Sequence, residues 1–106
     1  MVVSDDQIAF VRDLFADIPE LSTRKMFGGL GIYSGGTIFA MIGPGDAIMI
    51  KARGALADDL AAEGGEQFRT YEGKTVNMPY WTLPDSALDD PEDAQMWARR
   101  SLAEAG

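Results

Sequence analysis

The chain has 106 residues, a formal net charge of −8 and a 46% apolar share, the profile of one globular domain over residues 1–106 with a single core. It holds no cysteine and no histidine, which excludes disulfides, thiol nucleophiles, imidazole acid–base chemistry and nearly every zinc site. No apolar run approaches the ~20 residues of a membrane span, and Met1-Val2-Val3-Ser4-Asp5-Asp6 lacks the basic and apolar regions of a signal peptide, so a cytoplasmic protein is expected.

Ser4 and Gln7 have the spacing of a capping box, and Val3 and Ile8 that of a hydrophobic staple. Ile8, Val11, Phe15 and Ile18 trace one face of a helix predicted over 4–18, with Asp5 and Asp6 suited to its first turn and Pro19 ending it. Residues 23–27 read as a short extended segment. Strands are predicted at 30–34, 37–42 and 47–52, joined by Gly35-Gly36 and by Gly43-Pro44-Gly45-Asp46, links too short for anything but antiparallel neighbours. A short amphipathic helix over 55–63 is stopped by Gly64-Gly65. Strands at 67–72 and 75–80 flank Gly73-Lys74, residues 82–89 read as a loop or a single turn, and Asp90-Pro91 opens a last helix carrying Ala94, Trp97, Ala98 and Ser101 on its inner face. The resulting order is α-βββ-α-ββ-α. It predicts a two-layer α+β fold, a five-stranded antiparallel sheet with three helices.

Strict alternation along 37–42 puts Ile38, Ala40 and Ile42 on one side and Phe39 and Met41 on the other. The next strand likewise sets Ile48 and Ile50 against Met49. A sheet with one wet face alternates apolar with polar, and these strands do not. A helix of the same chain, a partner chain or a ligand must therefore cover the second face. Phe39, Met41 and Met49 are the expected interface residues.

Charge is unevenly spread. Residues 1–20 sum to −4, 21–53 to +3, 54–72 to −4 and 73–106 to −3. The acidic balance disfavours direct nucleic-acid binding, where lysine and arginine supply the affinity. A local basic cluster of Arg24, Lys25, Lys51, Arg53 and Lys74, with Tyr33 and Tyr80 nearby, would make an anion site if the fold gathered it. A solvated set of charges is the plainer reading. Gly28-Gly29-Leu30-Gly31 opens a strand rather than a helix, so it reads as a turn or bulge and not a phosphate loop. Asp58-Asp59 and Asp89-Asp90 are paired in sequence only. No catalytic residue, metal site or cofactor is predicted, and of five methionines (Met26, Met41, Met49, Met78 and Met96) core filling is the favoured role, with Met41 and Met49 on the second face as the exceptions.

Taken together, Lys25-Met26-Phe27-Gly28-Gly29-x-Gly31-Ile32-Tyr33, Phe39, Lys51, the Phe68–Tyr80 hairpin with Met78-Pro79-Tyr80, and the tail Pro84…Leu88…Asp90…Trp97-Ala98-Arg99-Arg100 resemble the TfoX N-terminal domain family. The resemblance implies a secretion-chaperone-like α+β domain. In longer relatives it precedes a C-terminal domain in regulators of natural competence, and this chain stops where that second domain would begin. The expected function is therefore a non-enzymatic interaction or regulatory module, a homodimer or a binder of a regulatory partner. The alternative is a small anionic-ligand binder, or a cofactor-assisted enzyme, using the basic cluster.

Overall fold

The computed structural model describes residues 4–26, 29–70 and 76–105. Helix α1 (Asp5–Leu14) starts with the expected capping box: Gln7 N–H donates to Ser4 Oγ at 3.2 Å and Ser4 N–H to Gln7 Oε1 at 2.7 Å. Val3, the other half of the staple, lies outside the described residues. The helix ends four residues earlier than predicted. Phe15 leaves helical geometry, and the Asp17 N–H donates instead to Gln95 Oε1 at 2.9 Å, a side chain only 4% exposed. Pro19 further disfavours the helical region at Ile18.

Six strands follow, with one helix among them: β1 (Leu21–Met26), β2 (Gly29–Ser34), β3 (Thr37–Ile42), β4 (Ile48–Lys51), α2 (Gly54–Ala62), β5 (Gln67–Thr70) and β6 (Val76–Thr82). Helix α3 (Pro91–Ala105) closes the fold, capped by Asp90 Oδ1, which accepts from the N–H groups of Glu92 and Asp93. The α+β class with three helices stands, but the sheet has six antiparallel strands rather than five, in the order β1-β2-β3-β4-β6-β5. The extra strand is β1, read from sequence only as an extended segment. Its polar Leu-Ser-Thr-Arg-Lys-Met carries little strand signal, and its definition comes from continuous pairing with β2, Leu21 opposite Ser34 through Met26 opposite Gly29. Gly35 and Gly36 turn that strand into β3 with φ of +55° and +85°, as a two-residue hairpin of the I′ type requires. The Gly73-Lys74 turn lies outside the described residues.

All three helices feed one core. Val11, Leu14 and Phe15 from α1, Leu56 and Leu60 from α2, and Ala94, Trp97 and Ala98 from α3 pack with Leu30, Ile32, Ile42, Ile48 and Ile50 of the strands. By register these strand residues share one face: Leu30 pairs Ile42, Ile42 pairs Ile48, and Ile32 and Ile50 both pair Ala40. The helices therefore form one layer on one side of the sheet. No methionine among the described residues belongs to this cluster, so the core-filling assignment is corrected for Met26, Met78 and Met96, while Met49 is buried outside it.

Phe39 also departs from expectation. Ile32 pairs Ala40 while Tyr33 pairs Ile38, so Phe39 is the extra residue of a β-bulge. The bulge breaks alternation and turns Phe39 to the helix side with Ala40. There it is fully buried, edge-on to Phe15 with ring centroids 5.3 Å apart and planes at 85°. From α3, buried Ser101 Oγ approaches the bulge, 2.5 Å from Lys51 O and 3.3 Å from Phe39 O. A helix hydroxyl thus serves carbonyls at the point where the ladder is disrupted.

Candidate functional site

Among the described residues, no helix packs on the opposite face of the sheet. Its side chains follow from the register, since directly paired residues share a face. Arg24 pairs Gly31, Gly31 pairs Met41, Met41 pairs Met49 and Met49 pairs Thr82, forming one row across five strands. The neighbouring row holds Tyr33 opposite Ile38, and Lys51 opposite Tyr80. Phe68, alternating with Gln67 on β5, joins this face. With Met49, Arg69 and Thr82 it lines a depression of about 580 Å³.

The two central rows interlock through glycine. A Cβ at Gly31 would meet Cε1 and Oη of Tyr33 at 2.8 and 2.9 Å, so the phenol ring occupies the space that a side chain would need. At Gly43 the Met49 methyl does the same, with the Met41 methyl beside it. Among the described residues, Met49 (3% exposed) and Tyr80 (9%) are the two buried apolar side chains outside the helix-side core. They form the floor of this second face, with Tyr33, Ile38 and Met41 half-buried around them.

Burial raises the Tyr80 pKa above its ordinary 10.0. The neighbouring Tyr33 phenol adds to the shift, and the Arg53 guanidinium opposes it. Tyr33 and Tyr80 belong to strands separated by β3 and β4, about 14 Å at the backbone. Their mutual influence fits rings leaning toward each other over the methionines. With its pKa raised, the Tyr80 phenol keeps its proton at neutral pH and remains an O–H donor.

The structure brings together Arg24, Tyr33, Met41, Met49, Lys51 and Tyr80 on one face. It does not bring together the whole basic cluster. Lys25 pairs Leu30 and so belongs to the opposite side of edge strand β1. Arg53 follows the end of β4 as the residue capping α2, its backbone N–H donating to Glu104 Oε1 at 3.0 Å. Arg24 and Lys51 sit on β1 and β4, three strand spacings or about 14 Å apart at the backbone. Lys74 lies outside the described residues. Phe39 leaves the interface set, because the bulge seals it in the core. Among the acidic pairs, Asp59 holds Arg100 in an ion pair at 2.6 Å and Asp90 caps α3. Among the described residues, no group of three acids is placed to hold a metal ion. No described helix is long and apolar enough to cross a membrane.

Sequence reasoning missed Ile38, Phe68 and Thr82. Strict alternation, counted without the bulge, places Ile38 with Ala40 and Ile42 instead. One signal available in the sequence would have pointed to this face: Gly31 stands two residues before Tyr33, the spacing at which a ring lies over a bare strand position.

No curated protein matches the chain. A family model described as the TfoX N-terminal domain matches residues 13–105, from the last residues of α1 to the end of α3. The match spans every strand of the sheet and both of its faces, and on that extent the chain belongs to the TfoX N-terminal domain family.

Proposed function

We propose that this TfoX N-terminal domain is a partner-docking module of the regulatory kind, with residues 1–106 acting as one unit, and that the helix-free face of the sheet is where a protein partner seats. The observation that carries the reading is the second apolar floor, Met49 and Tyr80 with Tyr33, Ile38 and Met41 around it, outside the helix-side core. Apolar surface removed from water contributes about 25 cal/mol per Å², and thioethers and phenols adapt to varied partner shapes. The wide separation of Arg24 from Lys51 favours an extended partner over a single small anion.

The test is selection of random 12-residue displayed peptides on the purified chain. The strongest synthetic peptide is then titrated calorimetrically against wild type, Ile38→Asp and Phe10→Asp, with circular dichroism reporting folding. Phe10 is 45% exposed on α1 in the helix layer and serves as the control. Ile38→Asp is expected to weaken binding about tenfold or more, with Phe10→Asp within about twofold. Equal effects, or the reverse order, refute the location.

A further inference from the structure

We infer that the partner seated on this face is an acidic protein segment with apolar residues between its carboxylates, an inference that rests on the docking reading above. The six strands contain Arg24, Lys25, Lys51 and Arg69 and none of the chain's 17 aspartates and glutamates. Among the described residues, the acids are confined to helices and connections. A chain with net charge −8 therefore presents a sheet whose strand side chains carry charge of the opposite sign.

On the helix-free face the register places Arg24 at one side and Lys51 toward the other, with Tyr33, Ile38, Met41 and Met49 between them. Arg53 stands close enough to Tyr80 to lower its pKa against the effect of burial. Among the described residues, none of these three cations has an ion-pair partner, whereas Arg100 in the helix layer does. Three described acids stand at the margins. Glu66 is at the rim of the Phe68 depression, Glu104 accepts the Arg53 N–H, and Glu20 lies beside Gly35 at the hairpin turn. The arrangement is an apolar strip, with phenol side chains in it, flanked by cations. Its complement is a segment with carboxylates spaced along it and aliphatic or aromatic side chains between them.

A second copy fits less well. A two-fold contact through this face would set Arg24 and Lys51 over the same cations of its mate, with no strand acid to answer them. Most of the copy's described acids lie on its helices and the connections around them, and sheet-to-helix contact is heterologous, giving a ring or an open filament rather than a two-fold dimer. Nucleic acid would leave the apolar strip unsatisfied and meet the repulsion of the acidic helix layer.

The selected peptides from the docking test decide the chemistry separately from the location. The expected result is a set with net negative charge and at least one large apolar residue. For the strongest member, replacing Glu and Asp by Gln and Asn should weaken binding about tenfold. Raising salt from about 50 to about 300 mM should weaken it severalfold. Lys51→Glu should abolish binding, with Lys51→Gln as the milder variant if the charge reversal perturbs folding. Peptides that lose affinity with Ile38→Asp but are neutral or basic overturn the acidic-partner inference and leave the docking site standing. Peptides indifferent to Ile38→Asp, or no enrichment at all, overturn both. A dimer seen by light scattering and dissolved by Ile38→Asp assigns the face to a second copy and overturns the inference.

Discussion

Truncating Phe39 tests the bulge, on which the assignment of the two faces depends. In Phe39→Ala, a ring with no exposed surface is lost from beneath α1 and α3, together with its edge-on contact to Phe15 at 5.3 Å. Loss of a buried phenylalanine, cavity included, costs about 3–5 kcal/mol, of which the aromatic geometry supplies about 0.5–1.5 kcal/mol. Against a total stability of about 5–15 kcal/mol, the variant is left marginal. Met41→Ala, two residues along the same strand but half-buried on the other face, should cost about 1 kcal/mol, because a side chain already in contact with water loses less on truncation. Urea unfolding followed by tryptophan emission should show the Phe39→Ala midpoint lowered by about 2 M for a slope near 2 kcal/mol/M. A double-mutant cycle of Phe39→Leu with Phe15→Leu, milder so that every species folds, should return a coupling of about 0.5–1.5 kcal/mol. If Phe39→Ala costs no more than Met41→Ala, and the cycle returns no coupling, strict alternation holds and the bulge is wrong.

Two further predictions concern single polar groups. Ser101→Ala removes the hydroxyl that serves the carbonyls of Lys51 and Phe39 in a site where Ser101 is 2% exposed. The loss should be about 1–3 kcal/mol in the same denaturation assay, and a cost below about 0.5 kcal/mol would show those carbonyls satisfied otherwise. Tyr80 has a folded pKa raised above 10.0, first by burial. The stability linked to its protonated form is fully present below pH 10 and is lost as pH rises through the folded value. Wild type should therefore lose stability relative to Tyr80→Phe as pH climbs above 10. Parallel curves for the two proteins from pH 8 upward would contradict the burial of that phenol.

Much of this fold was legible in local chemistry. The Ser4–Gln7 box, the Gly35-Gly36 turn, the bounds of β3 and the Asp90 cap are decided by residues within a few positions of one another, and each is where the sequence places it. β1 was harder to read because an edge strand of Leu-Ser-Thr-Arg-Lys-Met has no periodicity of its own and exists through its partner. Helix α1 stops early because Gln95, far along the chain, takes the Asp17 N–H. The candidate site was legible in part. Composition and parity identify Met41 and Met49 as lying opposite the isoleucines, and they place Lys51 beside Met49's face. They also grouped Arg24 with Lys25, which the pleat sends to opposite sides.

By itself, the sequence determined that the two central strands at 37–42 and 47–52 are apolar on both faces, since composition and alternation are properties of short stretches. Which apolar residues those faces present was decided only in the tertiary structure. A one-residue bulge exchanges the sides of Phe39 and Ile38. The packing around that bulge comes from a ring on α1 and a hydroxyl on α3, 24 and 62 residues away along the chain.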